Sequence, residues 1–427
     1  MSKLLLNKAF SEHHQFPTGE DISAVEMDLP MPIHFKNLPE YKCVDIKQEG
    51  EKRTLFTNYY IGTDWLLKNN VAIYISPKLN DDNQQTDYLK MLFSCLRHSE
   101  VANFTKDLYE IKFDEPQIEI EQKKDLLTPL LIVHFLQLLK TIVRKSLKKS
   151  YYKIEKNLNS KIKGKVLVSQ TLKQNIIKNK PLNTFCQYDE FGYNGIENRI
   201  LKHTLIFVQK YLALFPDYSK MVSSVINYCF PAFHEVDENI EIKTILGIKE
   251  NVFYKEYSEA IRIANLILKR FGYNIKGIEA EKNKLVSVPP FWIDMSKLFE
   301  LYVLGLLKDT YHNNILFQIQ GTYGQPDFAL ILEKSKMIID TKYKKKYQEE
   351  KYIIEDIRQL SGYARDTKIL SKFGFKTEEE QDRVLDCLII YPDQDASEDL
   401  NENLTADKIE GFIKFYKMPI KLPVITV

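Results

Sequence analysis

The sequence is poor in the residues that mark fibrous, low-complexity and disulfide-stabilised chains. Glycine and proline together make up 31 of the 427 residues, which excludes a collagen-like or low-complexity chain. The five cysteines are odd in number, lie far apart, and include no Cys-x-x-Cys pair and no zinc-finger spacing. We therefore expect reduced structural thiols rather than disulfides or a structural zinc.

Long apolar runs and a strong excess of one charge are also missing. The longest apolar run, Leu126–Val143, is interrupted by His134, Gln137 and Lys140, so it falls short of the roughly 18 clean residues that a membrane-spanning helix needs. The first eight residues hold only three apolar side chains in a row, which does not fit a signal peptide. We expect a cytoplasmic protein without a membrane segment, and the net charge of +2 indicates no particular partner.

The residues that are present fit a globular protein of two or three domains. Hydrophobic residues make up 44% and aromatic residues 12% of the chain, enough for sizeable cores. The polar stretch Lys276–Pro290 ends in two prolines and is the predicted main boundary. It divides the chain into an N-terminal region, residues 1–280, and a C-terminal domain, residues 281–427. The predicted fold class is α+β/α/β, with long helices in a mixed N-terminal region.

Periodicity predicts one clear strand and four helices in the N-terminal region. The strand is Val71–Ser76, and the helices are 87–99, 126–149, 197–215 and 255–271. Residues 144–180 carry twelve Lys or Arg against one acid, a net charge of +11. This basic segment could follow DNA phosphates, dock an acidic partner, or be a solvated face. We favour a contact surface and leave its ligand open.

The C-terminal domain has the predicted order α-β-β-β-α-β followed by one further strand. Asp294 is the expected N-cap of the first helix. The expected elements are a helix at Met295–Lys308, strands at Ile315–Gln320, Phe328–Leu332 and Met337–Tyr343, a helix at Ile353–Leu370, and strands at Leu388–Tyr391 and Phe412–Lys417.

The second and third of these strands are predicted to bring charged side chains together. A hairpin centred on Lys334-Ser335 places Asp327 opposite Lys342 and one diagonal step from Asp340. Partners across a ladder share a face, so two carboxylates and an ammonium converge within roughly 5–8 Å. Two half-buried carboxylates at such a short distance repel each other unless a positive charge lies between them.

A hard divalent cation satisfies such a pair, because Mg²⁺ prefers one or two carboxylates, waters and phosphate oxygens. Lys342 could then offset charge on the phosphate during metal-assisted phosphodiester hydrolysis. Glu300 interrupts the apolar run Leu298–Leu307, and a metal or its bound water would give this carboxylate a partner. The alternative is an exposed hairpin with an ordinary Asp–Lys pair, but the residues taken together favour the nuclease interpretation.

These residues resemble a known family. Pro326-Asp327 with Asp340-Thr341-Lys342 matches the signature of PD-(D/E)xK nucleases, and the predicted element order resembles their core. More narrowly, the chain resembles McrC-type subunits of McrBC modification-dependent, 5-methylcytosine-specific restriction systems over roughly residues 55–427. The segments that carry this resemblance are Asp294–Glu300, Ile339–Lys344, Lys163–Val166, Tyr188–Phe191 and Asn198–Lys202.

The resemblance implies roles for individual residues. Asp327 and Asp340 would bind Mg²⁺ with the Thr341 carbonyl, Lys342 would be the catalytic lysine, and Glu300 the accessory acid at the metal. Gln359 and Tyr363 resemble the Gln-x-x-x-Tyr pair of RecB-like nucleases and would contact DNA. A surface glutamine beside a half-buried tyrosine is an equally good interpretation of that pair.

The resemblance also implies a partner, a McrB-type AAA+ GTPase that forms a hetero-oligomer with this chain on modified double-stranded DNA. The sequence contains no Gly-x-x-x-x-Gly-Lys-Ser/Thr loop, so nucleotide hydrolysis would belong to that partner and the N-terminal region would engage it. Two other functions stay open: a stand-alone repair or resolvase-type nuclease, and a degenerate nuclease that only activates an NTPase.

Overall fold

The computed structural model describes a large part of the chain in two compact units. The described residues are 3–4, 10–11, 20–22, 32–78, 84–95, 98, 101, 104, 107–121, 127–213, 216–238, 240, 255–270, 285–333, 335–344, 354–377, 380, 382, 384–397, 400 and 403–426. One unit combines Met1–Leu127 with Asn283–Val427, and we call it the discontinuous unit. The other, Thr128–Lys282, is the inserted unit.

This grouping differs from the predicted division into residues 1–280 and 281–427. The predicted boundary near 280 coincides with one border between the units, but residues 1–127 form one compact unit with the C-terminal residues. The reason is the strand Phe291–Asp294, which pairs with Tyr60–Leu67 on one side and Tyr109–Ile111 on the other. Local sequence patterns carry no information about pairing between segments that distant. The roles assigned to the two predicted regions stay predictions.

The N-terminal part of the discontinuous unit contains two larger sheets. The first follows the order Lys3–Leu4, Val71–Ser76, Tyr60–Leu67, Phe291–Asp294 and Tyr109–Ile111, with Phe10–Ser11 also on Val71–Ser76. The second follows the order Glu20–Asp21, Lys52–Thr57, Lys42–Glu49 and Ile33–His34. Val44, Ile73 and Trp292 are fully buried in a core cluster that these strands share. The predicted strand Val71–Ser76 is confirmed.

Smaller elements complete this part of the unit. The predicted helix at 87–99 is observed at Tyr88–Ser94, where the Asp87 side chain accepts a hydrogen bond from the Lys90 N–H at 2.8 Å. Two-stranded ladders join Ile118–Glu121 to Leu285–Val288 and Gln84–Thr86 to Val424–Thr426. A short 3₁₀ turn covers Phe35–Asn37.

The C-terminal sheet has five strands in the order Ile315–Phe317, Phe328–Ile331, Lys336–Thr341, Asp386–Pro392 and Phe415–Ile420. The first three are antiparallel, and the last two run parallel to Lys336–Thr341. The helix Met295–Tyr311 precedes the sheet, and the 3₁₀ turn His312–Asn314 follows it. As predicted, Asp294 caps this helix by accepting from the Lys297 N–H at 3.0 Å. Apart from the helix at Ile353–Leu370, the predicted helices and strands of this region are therefore found, with shifted ends.

One C-terminal helix is two helices. The prediction was a single helix at Ile353–Leu370, whereas the structure has Ile354–Tyr363 and Thr367–Lys372. Asp366 lies between them and caps the second helix by accepting from the N–H groups of Lys368 and Ile369. An aspartate that satisfies the first N–H groups of a helix favours a new start over continuation.

The inserted unit combines helices with a long antiparallel ribbon. Ser150–Asn159 pairs with Asn183–Gly192 over ten residue pairs, and Lys165–Val166 pairs with the second of these strands. The helices are Leu127–Arg144, Val168–Thr171, Ile196–Leu212, Pro216–Cys229 and Lys255–Arg270, with a π turn at Leu172–Ile176 and a 3₁₀ turn at Phe230–Phe233. The helix predicted at 126–149 ends at Arg144, just before Ser146 with its left-handed φ of 73°. None of the helices in the described ranges is long and apolar enough to cross a membrane.

Candidate active site

The two predicted metal-binding aspartates face each other across the hairpin. Phe328 pairs with Ile339 and Ala329 with Ile338, so the next pair outward is Asp327 with Asp340. The predicted register, with Asp327 opposite Lys342, was wrong by two residues. The Leu332 N–H donates to the Ser335 carbonyl at 2.8 Å, which centres the turn one residue earlier than expected. No glycine, proline or asparagine marks this turn, so the sequence could not fix the register.

Burial makes the ionised form of both aspartates unfavourable. Asp340 is only 3% exposed. Burial raises the pKa of the Asp327 carboxyl well above its ordinary value, and the charges of Asp340 and Glu300 raise it further. The Thr341 N–H and hydroxyl both donate to Asp327 Oδ2, at 2.7 and 2.5 Å, and lower the pKa only in part. Burial also raises the pKa of Asp340, against the opposing effect of Lys342.

Lys342 lies at the centre of a polar chain of contacts. Its Nζ is 2.5 Å from Asp340 Oδ2 and donates to Gln359 Oε1 at 3.0 Å. Gln359 Nε2 in turn donates to the Tyr363 hydroxyl at 3.0 Å. Burial alone would lower the pKa of Lys342, but the neighbouring Asp340 charge outweighs it and the pKa is raised. The lysine is therefore a fixed cation, and the predicted shared helix face of Gln359 and Tyr363 adjoins it.

Sequence reasoning missed Asp356. This residue is 6% exposed, and its Oδ1 lies 3.7 Å from Lys342 Nζ while its Oδ2 lies 2.9 Å from Lys344 Nζ. An acid in the first turn of a helix usually complements the helix dipole. The sequence therefore offered no reason to expect contacts between Asp356 and the two lysines. Its spacing of three residues before Gln359 was the available signal, because residues three apart share a helix face.

Glu300 and Asp327 line a cavity of about 430 Å³. Gln318 Nε2 donates to Glu300 Oε1 at 3.1 Å. Burial raises the pKa of Glu300, and the charge of Asp340 adds to the effect. Asp327, Thr341, Glu300 and Gln318 all line the cavity. Each of these three carboxyls has a raised pKa, and a nearby cation would favour its ionised form.

The donor set fits Mg²⁺ through its two aspartates rather than through a larger cage. Among the described residues, no group of three or more His, Cys, Asp or Glu side chains is arranged to hold a metal ion. Mg²⁺ needs only one or two carboxylates, because waters and phosphate oxygens complete its shell. Asp327 and Asp340 would meet that requirement and hold the ion, with Glu300 beside them as an accessory acid.

The five cysteines take no part in this site. All five are free and buried, as expected from their spacing. Burial raises the pKa of Cys95, Cys229 and Cys387 to about 12, so these thiols stay protonated and act as small apolar side chains.

The fold and the site define a mixed α/β protein with a buried carboxylate–lysine centre at one end of a mixed sheet. A family model described as "McrBC 5-methylcytosine restriction system component" matches residues 57–372. The chain belongs to that family. No curated protein sequence gives a significant match.

Two solved structures from Thermococcus gammatolerans are similar at low identity. One is a refined half-complex of McrB AAA+ hexamers with bound McrC, at 16% identity and a TM-score of 0.35, covering 88% of this chain and 80% of that chain. The other is a cryo-EM structure of the McrBC complex, at 14% identity and a TM-score of 0.27, covering 61% of this chain and 69% of that chain.

Proposed function

We propose that this chain is the DNA-cleaving subunit of a modification-dependent restriction complex, a Mg²⁺-dependent endonuclease of the PD-(D/E)xK type. The observation that carries the proposal is the pair of buried Asp340 and partly buried Asp327, with the Lys342 ammonium 2.5 Å from Asp340. A structural ion pair would need one carboxylate for one lysine. Here there is a second carboxylate, Asp327, whose pKa is raised well above the ordinary value. Among the described residues, its hydrogen-bond donors are the N–H and hydroxyl of Thr341.

Each side chain has a distinct part in this proposal. Asp327 and Asp340 would hold Mg²⁺, which when bound supplies Lewis acidity and positive charge for a phosphodiester. Lys342, kept charged by Asp340 and oriented by Gln359, would stabilise the negative charge that develops on the phosphate oxygens. Glu300, with its raised pKa, would accept a proton from a water at the cavity. Asp356, whose Oδ1 lies 3.7 Å from Lys342 Nζ, would help to position this lysine.

Partner dependence follows from what the chain lacks and what it exposes. The sequence has no phosphate-binding loop of the Walker type, while the family is described as a component of a restriction system. Residues 150–192 of the inserted unit, which overlap the basic segment, expose large apolar side chains, including Ile162 at 71% and Ile177 at 77%. Exposed apolar surface of this kind marks interaction sites. We assign it to docking a McrB-type AAA+ GTPase, which would also read the modified base in DNA.

The test is reconstitution with a McrB-type AAA+ GTPase, GTP, Mg²⁺ and a methylated duplex. We expect cleavage to fall by about 100-fold or more in Asp340→Ala and Lys342→Ala, while GTP turnover by the partner is unchanged. Lys414→Ala is the matched control, because Lys414 is half exposed and lies 3.9 Å from Asp386 in an ordinary surface pair. Near-normal cleavage by Lys342→Ala would indicate that the lysine has only a structural role.

The same reaction separates the other two functions. Strong cutting by the isolated chain, without partner or GTP, would indicate a stand-alone repair or resolvase-type nuclease. GTPase stimulation by a wild-type chain that neither cuts nor gains thermal stability from Mg²⁺ would indicate a degenerate nuclease acting as an activator.

A further inference from the structure

The cavity beside the carboxylates is lined in part by residues that no cleavage step requires. Alongside Asp327 and Glu300, its lining includes Phe35, Leu38 and Tyr41 from the N-terminal part of the discontinuous unit. A site for a metal ion and a phosphate group alone needs oxygen donors and positive charge, not aromatic and aliphatic walls. The apolar lining therefore fits a further, flat or apolar part of the substrate.

The residues Phe35–Tyr41 form a closed loop, which we call the 35–41 loop. The Phe35 N–H donates to the Tyr41 carbonyl at 2.7 Å, and the Tyr41 N–H donates to the Leu38 carbonyl at 3.0 Å. Lys36 and Asn37 both have left-handed backbone angles, with φ of 52° and 56°, which are uncommon for residues other than glycine. The Lys36 N–H is held by Glu110 Oε2 at 2.7 Å. The loop thus presents its side chains from a fixed backbone.

The side chains of the 35–41 loop divide into a buried base and an exposed surface. The rings of Phe35 and Tyr60 are buried and lie 5.0 Å apart between centroids. In the same loop, Leu38 is 41% and Tyr41 is 48% exposed. The core does not require apolar side chains at these two positions. A half-exposed tyrosine on a fixed loop that lines a cavity is well suited to stack on a flat ring.

We propose that this cavity is a nucleoside subsite, which receives the base and sugar of a nucleotide next to the phosphate that is cut, with Tyr41 as its stacking surface. The inference rests on the proposed nuclease function and names the part of the substrate that the site holds. The volume of about 430 Å³ is in the range of pockets that enclose small ligands. Lys297, which also lines the cavity, supplies a cation for the strand's phosphate.

The subsite requires the nucleotide to leave the base stack at least in part. Unstacking costs a few kcal/mol for an intact duplex, which stacking on Tyr41 offsets. An N-terminal loop would in this way set the position of the cut relative to the base that enters the cavity. The N-terminal residues of the discontinuous unit would therefore take part in substrate positioning and not only in partner binding.

The experiment uses the full complex and DNA duplexes with a single abasic position. Cleavage sites of the wild type are mapped first, and one abasic site is then moved through the three nucleotides on each side of the cut. For the wild type we expect one position where base removal lowers the apparent affinity by about 10-fold. Tyr41→Ala should lower the affinity for the intact duplex by a similar factor and be insensitive to base removal at that position. Tyr41→Phe should behave as the wild type, because it keeps the ring.

Tyr228→Ala is the matched control, since Tyr228 is 49% exposed and lies in the inserted unit, outside the cavity lining. Equal sensitivity of wild type and Tyr41→Ala at every abasic position, with normal folding of both, would overturn the subsite. That result differs from a failure of the proposed function, in which the wild-type complex would cut no DNA at all.

Discussion

Asp327 and Asp340 share one site but differ in what balances their charge. Asp340 has the Lys342 ammonium at 2.5 Å, whereas Asp327 has the N–H and hydroxyl of Thr341. Burial and the neighbouring carboxylates raise the pKa of Asp327, so the folded chain binds its proton more tightly than the unfolded chain does. The stabilisation from this group is present at low pH and is lost as the pH rises from the ordinary aspartate value through the raised one.

Asp327→Asn should therefore stabilise the metal-free protein at high pH. In EDTA at pH 8 we expect the Tm to rise by about 2 °C or more, with a gain that shrinks as the pH falls toward 4. The amide oxygen can still accept from the Thr341 N–H, so little else is lost. Mg²⁺ should raise the Tm of the wild type but not of this variant.

Asp340→Asn is the control for that measurement. It removes the charge beside a buried lysine, so the Tm should fall rather than rise. Thermal scans at pH 5 and pH 8, with and without Mg²⁺, distinguish the two variants. Identical shifts for Asp327→Asn at both pH values would contradict the assignment of a raised pKa to Asp327.

At this scale the sequence identified the residues of the site better than their geometry. Asp327, Asp340 and Lys342 were predicted from the motif, and the contact between Gln359 and Tyr363 followed from helical spacing. The register of the hairpin was wrong, because a two-residue shift keeps the same faces buried and leaves the apolar pattern unchanged. Asp356 and Tyr41 were missed, since their relevance depends on packing between segments far apart in the chain.

At the scale of elements, a second prediction concerns the segment between the paired strands Ser150–Asn159 and Asn183–Gly192. Ile162 and Ile177 lie between them in sequence and are 71% and 77% exposed. Replacing both with glutamate should leave the Tm within about 1 °C, because no buried contact is lost. Stimulation of the partner's GTPase should fall by about 10-fold, since two charges would be buried on docking.

Ile413→Glu is the matched control for this pair. Ile413 is 80% exposed but lies in the discontinuous unit, so its replacement should leave GTP turnover unchanged. Stimulation is measured as GTP hydrolysed by the partner at saturating amounts of each variant. Full stimulation by the Ile162→Glu, Ile177→Glu double variant would remove this surface from the docking interface.

Helices and strands could be predicted from the sequence where burial alone determined the pattern of apolar residues. Strands such as Asp386–Pro392 are buried on both faces and appear in sequence as apolar runs. The ribbon at residues 150–192 was not predicted, because its lysine-rich strands are largely exposed and carry no clear alternation. The helix break at Asp366 was missed because the apolar periodicity continues across it.

For the whole molecule, the discontinuous unit leads us to expect that residues 281–427 do not fold on their own. Trp292 is fully buried, and its indole N–H donates to Asp64 Oδ2 at 2.8 Å. A chain of residues 281–427 would expose this side chain and leave the strand Phe291–Asp294 without either neighbour. We expect it not to fold cooperatively, as judged by near-UV circular dichroism and thermal unfolding.

Removal of the inserted unit should have the opposite result. Ile118–Glu121 and Leu285–Val288 form an antiparallel ladder in which Glu121 pairs with Leu285. Replacing residues 122–284 with a Gly/Ser turn of about four residues closes this ladder as an ordinary hairpin. The shortened chain should unfold in one cooperative transition and keep its thermal stabilisation by Mg²⁺, while losing all stimulation of the partner. A folded 281–427 fragment, or an unfolded internal deletion, would contradict the division into these two units.

The interrupted path of the discontinuous unit has a consequence for synthesis on the ribosome. Tyr60–Leu67 emerges early, but one of its two neighbouring strands, Phe291–Asp294, emerges more than two hundred residues later. The inserted unit is continuous, so its residues are available together while the first sheet still has an open edge. Asp327, Asp340 and Lys342 come later still. The 35–41 loop, which lines the cavity together with Asp327, is synthesised near the start of translation. Under the proposed function, a nascent or prematurely terminated chain therefore has no assembled site with which to cut DNA.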